Sequence, residues 1–352
     1  MERIRQFISE RHLGPWLLGA GSALSVVAVL TLLSAYVIPS SWGSVGSIRG
    51  RLPLPAVFVS GKTAATYSEI AENLAGFRHF YEAQDFSGAG LRVDFSTPDG
   101  RNRLRIRERE IVNKLVEDEE IRTLAAKAGI TVTDEDALKS ITDGAKANGS
   151  DAATAAANVS RLYGWDLPTF IRKIAVPNIY RERLAAWYAQ DETRFSAAKA
   201  KIDAAKKTLA DGRSFSDVAT QYSEGKTADA GGSIGWFRRD QLVAPLQEPA
   251  RTQAIGVPGN VIESPLGFHI LLVNERKTDK TGDQVNVSQI FVKKQSFGEW
   301  LTEQLKGTDV RVLSTEYQWN PDTATVEFRD PALRQIEKDV LSKSEGDASI
   351  AF

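Results

Sequence analysis

One stretch of the sequence decides the fold of the second half of the chain. It reads SFSDVATQYSEGKTADAGGSIGWF over Ser214–Phe237, DQLVAPLQEPA over Asp240–Ala250, and GNVIESPLGFHILLV over Gly259–Val273. Ser214 can cap a short helix, because its hydroxyl can accept a hydrogen bond from an amide of the first turn. The β-branched and aromatic residues of FHILLV favour a buried strand. The stretch therefore predicts an α+β unit.

Two motifs in this stretch carry a resemblance to a known family. GGSIGWF begins at Gly231 and GFHILLV begins at Gly267. At this separation they resemble the parvulin (rotamase) family of peptidyl-prolyl isomerases. The resemblance implies an FKBP-like domain over residues 195–294, in which a four-stranded antiparallel sheet is wrapped by helices.

One strand of this domain is missing from its usual place. A parvulin begins with a strand of the type V-x-x-S-H-I-L-V, and nothing similar lies between Trp187 and Ala197. VNVSQIFVKK, over Val285–Lys294, is similar to it. We therefore expect a circularly permuted domain, in which the polar loop Asn274–Gln284 brings Val285–Lys294 antiparallel to FHILLV. The alternative is a truncated second parvulin domain that begins at this strand.

The isomerisation of a prolyl bond defines the chemistry that such a site requires. Rotation about the peptide bond crosses a barrier of about 18–20 kcal/mol, so the site must bind the twisted amide better than either planar form. Parvulins use two histidines, an Asp or Cys, and an apolar pocket for the proline ring. By this resemblance His269 matches the second histidine and Ser264 a neighbouring hydroxyl, whereas Gln289 replaces the first histidine.

Further positions of the site are changed as well. The position of the acid falls on Gly225, and Glu224 beside it is the candidate substitute. Two leucines stand where a methionine and a phenylalanine line the pocket of a parvulin. The candidate catalytic residues are His269, Ser264, Gln289 and Glu224. The candidate substrate-binding residues are Leu242, Leu246, Trp236 and Phe237.

The N-terminal part contains an almost continuously apolar stretch, LGPWLLGAGSALSVVAVLTLLSAYVI, over Leu13–Ile38. It carries no charge and is long enough to span a bilayer, for which about 20 residues suffice. We expect an uncleaved transmembrane anchor between a short cytoplasmic segment, residues 1–12, and a linker, residues 39–55. A cleaved signal peptide is the alternative. The flanking positive charges are nearly balanced, so the extracytoplasmic placement of the remaining chain follows from the resemblance.

Residues 56–190 show the apolar spacing of helices after a short strand-like segment, AVFVSG. Gly129 can end a long helix, and Thr133 and Asp166 can cap later ones. The segments VFVSGKTAATYSEIAENL, IVNKLVEDEEIRTLAAKAGITVTDED and YGWDLPTFIRKIAVPNIYRERL are similar to the N-terminal domain of SurA- and PpiD-type periplasmic chaperones. The resemblance implies an all-helical chaperone domain, and a generic helical bundle is the alternative.

The C-terminal part, residues 295–352, predicts a small α/β appendage. It contains a helix, SFGEWLTEQLKG, a hairpin within VRVLSTEYQWNPDTATVEF, and a final short helix followed by a tail. These residues contain no recognisable catalytic constellation. We expect the appendage to pack on the permuted parvulin-like domain.

Composition excludes several classes of function. The net charge of −1 does not indicate nucleic-acid binding, which would favour a clustered basic surface. The chain has no cysteine, which excludes disulfides and thiolate chemistry. Its three histidines, His12, His79 and His269, are too scattered for a histidine-based metal site. We therefore expect neither a metal nor a cofactor.

Together these features predict a membrane-anchored, extracytoplasmic foldase or chaperone of the SurA, PpiD and PrsA type. Its partners would be unfolded or newly exported polypeptides and their proline-containing segments, and its isomerase activity would be weak or absent. Two alternatives stay open: a catalytically active peptidyl-prolyl isomerase, and an interaction protein of an envelope complex.

Overall fold

The computed structural model describes residues 50–84, 94–279 and 282–343, together with Tyr36. The chain divides into two compact units, the first made of Met1–Leu184 with Leu301–Phe352 and the second of Ala185–Trp300. Apart from Tyr36, the expected anchor Leu13–Ile38 lies outside the described residues. Within the described ranges, no helix is both long enough and apolar enough to cross a membrane.

The α-helices and strands are numbered here in chain order over the described residues. The helices are α1 (Tyr67–Glu82), α2 (Pro98–Lys127), α3 (Asp134–Ala147), α4 (Ala152–Tyr163), α5 (Leu167–Phe170), α6 (Val176–Gln190), α7 (Ser196–Ala210), α8 (Phe215–Tyr222), α9 (Ala244–Thr252), α10 (Phe297–Lys306) and α11 (Pro331–Lys343). A π-helical turn, Ile171–Ala175, joins α5 to α6. The strands are β1 (Pro55–Val59), β2 (Lys62–Thr66), β3 (Ser233–Arg238), β4 (Pro258–Ser264), β5 (Gly267–Asp279), β6 (Gly282–Lys293), β7 (Val310–Val312), β8 (Tyr317–Asn320) and β9 (Thr325–Phe328).

Local sequence signals set several helix ends in the first unit, as expected. The Thr133 hydroxyl accepts a hydrogen bond from the amide of Asp136, and the Asp136 carboxylate accepts one from the amide of Thr133, which completes a capping box for α3. Asp166 caps α5 by accepting a hydrogen bond of 2.8 Å from the amide of Thr169. Gly129 adopts a φ of +71° just after α2 ends.

The first unit also contains a sheet, so the expectation of an all-helical domain is wrong. β1 is the central strand, and it pairs antiparallel with β2 on one side and with β7 on the other. Val57 and Val59 on β1 are 1% and 0% exposed. Because β7 lies far along the chain from β1, local patterns could not indicate this pairing.

Most of the C-terminal part, Leu301–Phe352, belongs to the first unit, so the expectation that it packs on the parvulin-like domain is wrong. β8 and β9 form the expected hairpin. Asn113 on α2 accepts a hydrogen bond of 2.9 Å from the amide of Val326, and Arg109 donates one of 3.1 Å to the Val326 carbonyl. Arg109 also forms an ion pair of 2.7 Å with Glu337 on α11. Side chains of α2 thus supply polar partners for the hairpin and for the last helix.

The second unit is built on one antiparallel sheet with the strand order β3–β6–β5–β4. β6 lies between β3 and β5 and pairs antiparallel with both. The expected pairing of Val285–Lys294 with FHILLV is therefore confirmed. The segment Asn274–Gln284, however, is not the expected loop. β5 and β6 continue as one ladder as far as Asp279 and Gly282, because paired strands satisfy backbone hydrogen bonds that a loop would leave to water.

The two faces of this sheet carry different sets of side chains, since successive residues of a strand alternate between faces. Ile270 and Ile290 are fully buried and face α7 and α8, which pack on β5 and β6. The opposite face carries Leu271, Val273 and Val287, which form a cluster with residues of α9 and the turn before it. This second face also carries His269.

Candidate functional site

His269 stands at the centre of the candidate site and is only 3% exposed. Its Nε2 atom lies 2.8 Å from the Ser264 hydroxyl oxygen. Its Nδ1 atom lies 3.3 Å from the Gln289 Oε1 atom. The structure therefore brings together three of the four candidate catalytic residues, which come from β4, β5 and β6.

The hydrogen bonds indicate which ring nitrogen of the imidazole carries a proton. Gln289 Oε1 can only accept, so His269 donates to it from Nδ1–H. In the neutral ring Nε2 accepts from the Ser264 hydroxyl, which also lies 3.3 Å from the carbonyl oxygen of Gly267. Burial lowers the pKa of His269, and the hydrogen bond to Gln289 opposes this shift only in part. His269 is therefore a neutral ring with both nitrogens satisfied by uncharged groups.

Strand register explains why these side chains meet. His269 on β5 pairs with Phe291 on β6, and Leu271 pairs with Gln289, so all four side chains share one face of the sheet. The His269 and Phe291 rings lie 4.9 Å apart between centroids at an interplanar angle of 32°. Ser264 sits at the end of β4, where the amide of Leu266 donates a 3.1 Å hydrogen bond to its hydroxyl.

Glu224 has structural partners of its own and makes no hydrogen bond to His269 among the described contacts. Its carboxylate accepts hydrogen bonds from the Lys201 ammonium (2.6 Å) and from the amide of Lys293 (2.8 Å). Partial burial works to raise the pKa of Glu224, but these hydrogen bonds outweigh it and hold the pKa below its usual value. Glu224 thus anchors the loop after α8 to the end of β6.

Gly225, which by the family resemblance falls at the position of the acid, lies beside Phe291. A Cβ atom added to Gly225 would lie 3.8 Å from the Cβ atom of Phe291 and 3.5 Å from the Ser223 hydroxyl, which are ordinary contact distances. A side chain therefore fits here, next to the ring that stacks on His269.

The four candidate substrate-binding residues divide between the two faces of the sheet. Leu242 and Leu246 are 7% and 3% exposed and belong to the apolar cluster on the face of His269, and Phe237 packs against that cluster. Trp236 alternates with Phe237 along β3, so its ring lies on the opposite face. There the Lys277 ammonium lies 4.5 Å from its centroid. The structure thus leaves Trp236 out of the site.

The part of the site that remains accessible is mostly apolar. We use the name His269 face for His269, Gln289, Phe291, Phe237 and Ile262; the last four are half-buried. Leu266, in the turn after Ser264, is 57% exposed. Sequence reasoning missed Phe291, Ile262 and Leu266. The period-two alternation of β6 could have indicated Phe291, because it follows Gln289 by two residues.

This arrangement suits the binding of an apolar segment better than acid–base chemistry. The face offers half-buried rings, one branched aliphatic side chain and one amide, and the hydrogen-bond partners of its buried histidine are uncharged. No cluster of three or more potential metal ligands occurs within the part of the chain that the structure describes.

Comparison with known proteins agrees with the motifs. Residues 179–277 match the family model of the PPIC-type PPIASE domain. β6, with Gln289 and Phe291, lies beyond the matched residues. Chaperone SurA of Chromobacterium violaceum is 30% identical over 112 residues, which are 30% of this chain and 26% of that protein. Chaperone SurA of Nitrosococcus oceani is 26% identical over 221 residues, or 52% of this chain and 51% of that protein.

A foldase also matches. Foldase protein PrsA of Halalkalibacterium halodurans is 26% identical over 110 residues, which are 30% of this chain and 33% of that protein. This chain thus spans between 26% and 51% of the length of these three relatives.

Proposed function

We propose that this chain, a parvulin-type relative of the SurA and PrsA foldase chaperones, holds extended segments of unfolded polypeptides on the His269 face and isomerises prolyl bonds weakly or not at all. Apolar and proline-containing segments are the expected ligands. The accessible rings of Phe237 and Phe291 and the side chain of Ile262 gain about 25 cal/mol for each Å² of apolar surface that such a segment covers.

One observation carries this proposal. The buried imidazole of His269 is satisfied by the hydroxyl of Ser264 and by the amide of Gln289, both of them uncharged. Catalysis needs groups that bind the twisted amide more strongly than the planar one. Few such groups are present here. By the resemblance, Gln289 replaces a histidine and Gly225 replaces the acid. The carboxylate of Glu224 is already bound by Lys201 and by the amide of Lys293.

The proposed setting is the cell envelope. Leu13–Ile38 would anchor the chain as a single membrane-spanning helix, with the residues that follow it outside the cytoplasm. The support for this placement is the charge-free apolar run in the sequence and the extracytoplasmic location expected for this family. Detection of the mature N-terminus near residues 39–46 by mass spectrometry would instead indicate a cleaved signal peptide.

The central test measures two activities of the same preparation, the full chain in lipid nanodiscs. We expect it to slow the aggregation of a denatured model protein, followed by light scattering. We expect short prolyl peptides to isomerise at nearly the uncatalysed rate in a protease-coupled assay. Ile262→Asp should weaken the suppression of aggregation, because it places a charge on the His269 face.

Leu138→Asp is the matched control, since Leu138 is a 43% exposed apolar residue of α3 in the other unit. The proposal fails if Ile262→Asp and Leu138→Asp behave alike. It also fails if the chain isomerises prolyl peptides as fast as an ordinary parvulin and His269→Ala abolishes that activity. The second result would favour the enzyme, in which Ser264 and His269 act together across their 2.8 Å hydrogen bond. A chain that fails in both assays would favour the third function, a partner in an envelope complex.

A further inference from the structure

The first unit contains a cavity of about 280 Å³ whose lining comes from α1, α2, the end of α4 with the loop that follows it, and the π-helical turn. This volume lies near the lower end of the range of small-ligand pockets in proteins. It is a site of a different chemical character from the His269 face, because aromatic rings and cations line it together.

The rings of the cavity form a continuous row. Successive centroids are separated by 4.7 Å (Phe77 to Tyr81), 5.3 Å (Tyr81 to Phe80), 5.7 Å (Phe80 to Tyr163) and 5.4 Å (Tyr163 to Trp165). These spacings lie within the range in which aromatic pairs attract each other. The row therefore presents preformed ring faces and edges to a further aromatic group.

A glycine inside α1 permits this arrangement. A Cβ atom on Gly76 would collide with the ring of Trp165, so the ring packs directly on the backbone of α1. A glycine within a helix costs about 0.5–1 kcal/mol of stability relative to alanine. The glycine at this position allows Trp165 to pack closely against α1, and this contact offsets part of that cost.

Cations stand at both ends of the row. The Arg107 guanidinium lies 4.9 Å from the Phe77 centroid, and the Lys173 ammonium lies 5.8 Å from the Trp165 centroid. Lys114 is a third cation in the lining. Among the described residues that line the cavity, none carries a carboxylate. The charged groups that face the interior are therefore cations.

The carboxylates that balance these cations lie outside the lining. Lys173 has an 8% exposed side chain and pairs at 2.9 Å with Glu72, whose side chain is 63% exposed. Arg107 pairs at 3.0 Å with Glu110, and Lys114 pairs with Asp118. The Nε–H group of Arg107 is buried and has no hydrogen-bond partner. A buried donor of this kind is unfavourable unless something pairs with it.

We propose that this cavity binds an aromatic side chain together with a carboxylate that lies beside it in a polypeptide. The aromatic ring packs against the side of the row that faces the cavity, and the carboxylate accepts a hydrogen bond from the cation at one end of the row, the Nε–H group of Arg107 or the ammonium of Lys173. The carboxylate has two possible sources, the C-terminus of a chain or an Asp or Glu next to the ring. The polypeptide nature of the ligand rests on the proposed function; the ring-and-carboxylate chemistry rests on the cavity alone.

The experiment titrates three acetylated pentapeptides into the full chain in nanodiscs by calorimetry. One ends in Phe with a free carboxylate, one ends in Phe amide, and one has Asp before a terminal Phe amide. We expect at least one carboxylate peptide to bind about tenfold more tightly than the plain amide, as charge-assisted hydrogen bonds require. The carboxylate peptide that binds more tightly identifies the source. Replacing Phe by Leu in that peptide should weaken binding several-fold.

The variants Arg107→Met and Lys173→Met remove the cations and keep the length of the side chains. Removal of the cation that binds the carboxylate should reduce the preference for the carboxylate, measured as the ratio of the affinities of the carboxylate and amide peptides, to less than about threefold. Lys139→Met is the control, because Lys139 pairs with Asp143 on α3 in the same i,i+4 arrangement as Lys114 with Asp118. If a variant unfolds, salt supplies the second measurement. The preference of the natural chain should fall when ionic strength rises from about 0.05 to 0.5 M.

Equal binding of all three peptides overturns the proposal, as does a carboxylate preference that survives both variants. Binding of the Leu peptide as tightly as the Phe peptide also overturns it, because the rings would then have no role. These outcomes are separable from failure of the proposed function. If the chain binds carboxylate peptides through Arg107 or Lys173 but does not suppress aggregation, this inference stands and the proposed function fails. If the chain suppresses aggregation but shows no preference for carboxylate peptides, the proposed function stands and this inference fails.

Discussion

The Nδ1 atom of His269 lies 3.3 Å from the Oε1 atom of Gln289, on the adjacent strand of the same sheet. A histidine paired in this way has its ring oriented by an amide that cannot change its charge. Gln289 therefore keeps its charge over the pH range in which a second histidine would titrate, and His269 is the member of the pair that titrates.

The first prediction concerns the pH dependence of stability. Burial lowers the pKa of His269 in the folded chain below its ordinary value near 6.5, so the unfolded chain binds the proton more readily. The stabilising contribution of the neutral ring is complete above about pH 6.5 and is lost as the pH falls toward the folded-state pKa. Urea unfolding at a series of pH values should show this loss, and His269→Gln should reduce it. An identical pH profile for His269→Gln and the natural chain would contradict the prediction.

The second prediction concerns the restoration of isomerase activity. The double variant Gln289→His and Gly225→Asp should raise the rate with short prolyl peptides by at least about tenfold, because it returns polar groups that can respond to the twisted amide. Gly225 has room for the new side chain beside Phe291. Gln289→His combined with Lys226→Asp is the control, since it introduces the same histidine and acid but places the acid at an exposed neighbouring position, where it also replaces a lysine. A similar gain in both double variants would show that the placement of the acid has no effect.

The third prediction tests a close approach of two backbones. Gly232 has a φ of +78°, and a Cβ atom there would lie 2.5 Å from the carbonyl oxygen of Gln289. Gly232→Ala should therefore lower the free energy of unfolding by about 2–4 kcal/mol, since both strain and a clash oppose the side chain. Gly212→Ala is the matched control, because Gly212 has a φ of +90° with open space around it. It should cost only about 1–2 kcal/mol. Chemical denaturation of both variants measures the two losses of unfolding free energy. The prediction requires the loss for Gly232→Ala to be larger than the loss for Gly212→Ala.

The fourth prediction tests the attachment of the C-terminal part to α2. Arg109 and Glu337 both have side chains that are 13% exposed, and they form an ion pair of 2.7 Å. Burial raises the pKa of Glu337, and the Arg109 guanidinium opposes this shift. Arg109→Met should destabilise the first unit by about 3 kcal/mol, because it leaves a carboxylate buried without its partner and also frees the Val326 carbonyl. Arg109→Met combined with Glu337→Leu should recover part of this loss. If the double variant loses as much unfolding free energy as the single variants Arg109→Met and Glu337→Leu lose together, the two residues are not coupled.

The sequence predicted the features that depend on neighbouring residues. Thr133 and Asp166 marked helix starts, since a capping side chain needs only the amides of the next turn. The motifs around Gly231 and Gly267 predicted the sheet of the second unit, and the similarity of Val285–Lys294 to a first parvulin strand predicted its pairing. The permutation relative to the family remains a hypothesis. The site residues came from the same motifs, and the structure joins His269, Ser264 and Gln289 as expected.

Tertiary structure decided the features that depend on distant residues or on the direction of a side chain. Sequence placed Trp236 and Phe237 together, but strand alternation puts their rings on opposite faces of the sheet. Glu224 adjoins the acid position in sequence, yet its carboxylate is held by Lys201 and the amide of Lys293. β7 joins β1 and completes the sheet of the first unit from the far end of the chain. Short-range chemistry is encoded in adjacent residues and can be read from them. A long-range pairing or a choice between two faces is settled only when burial and backbone hydrogen bonding are satisfied over the whole unit.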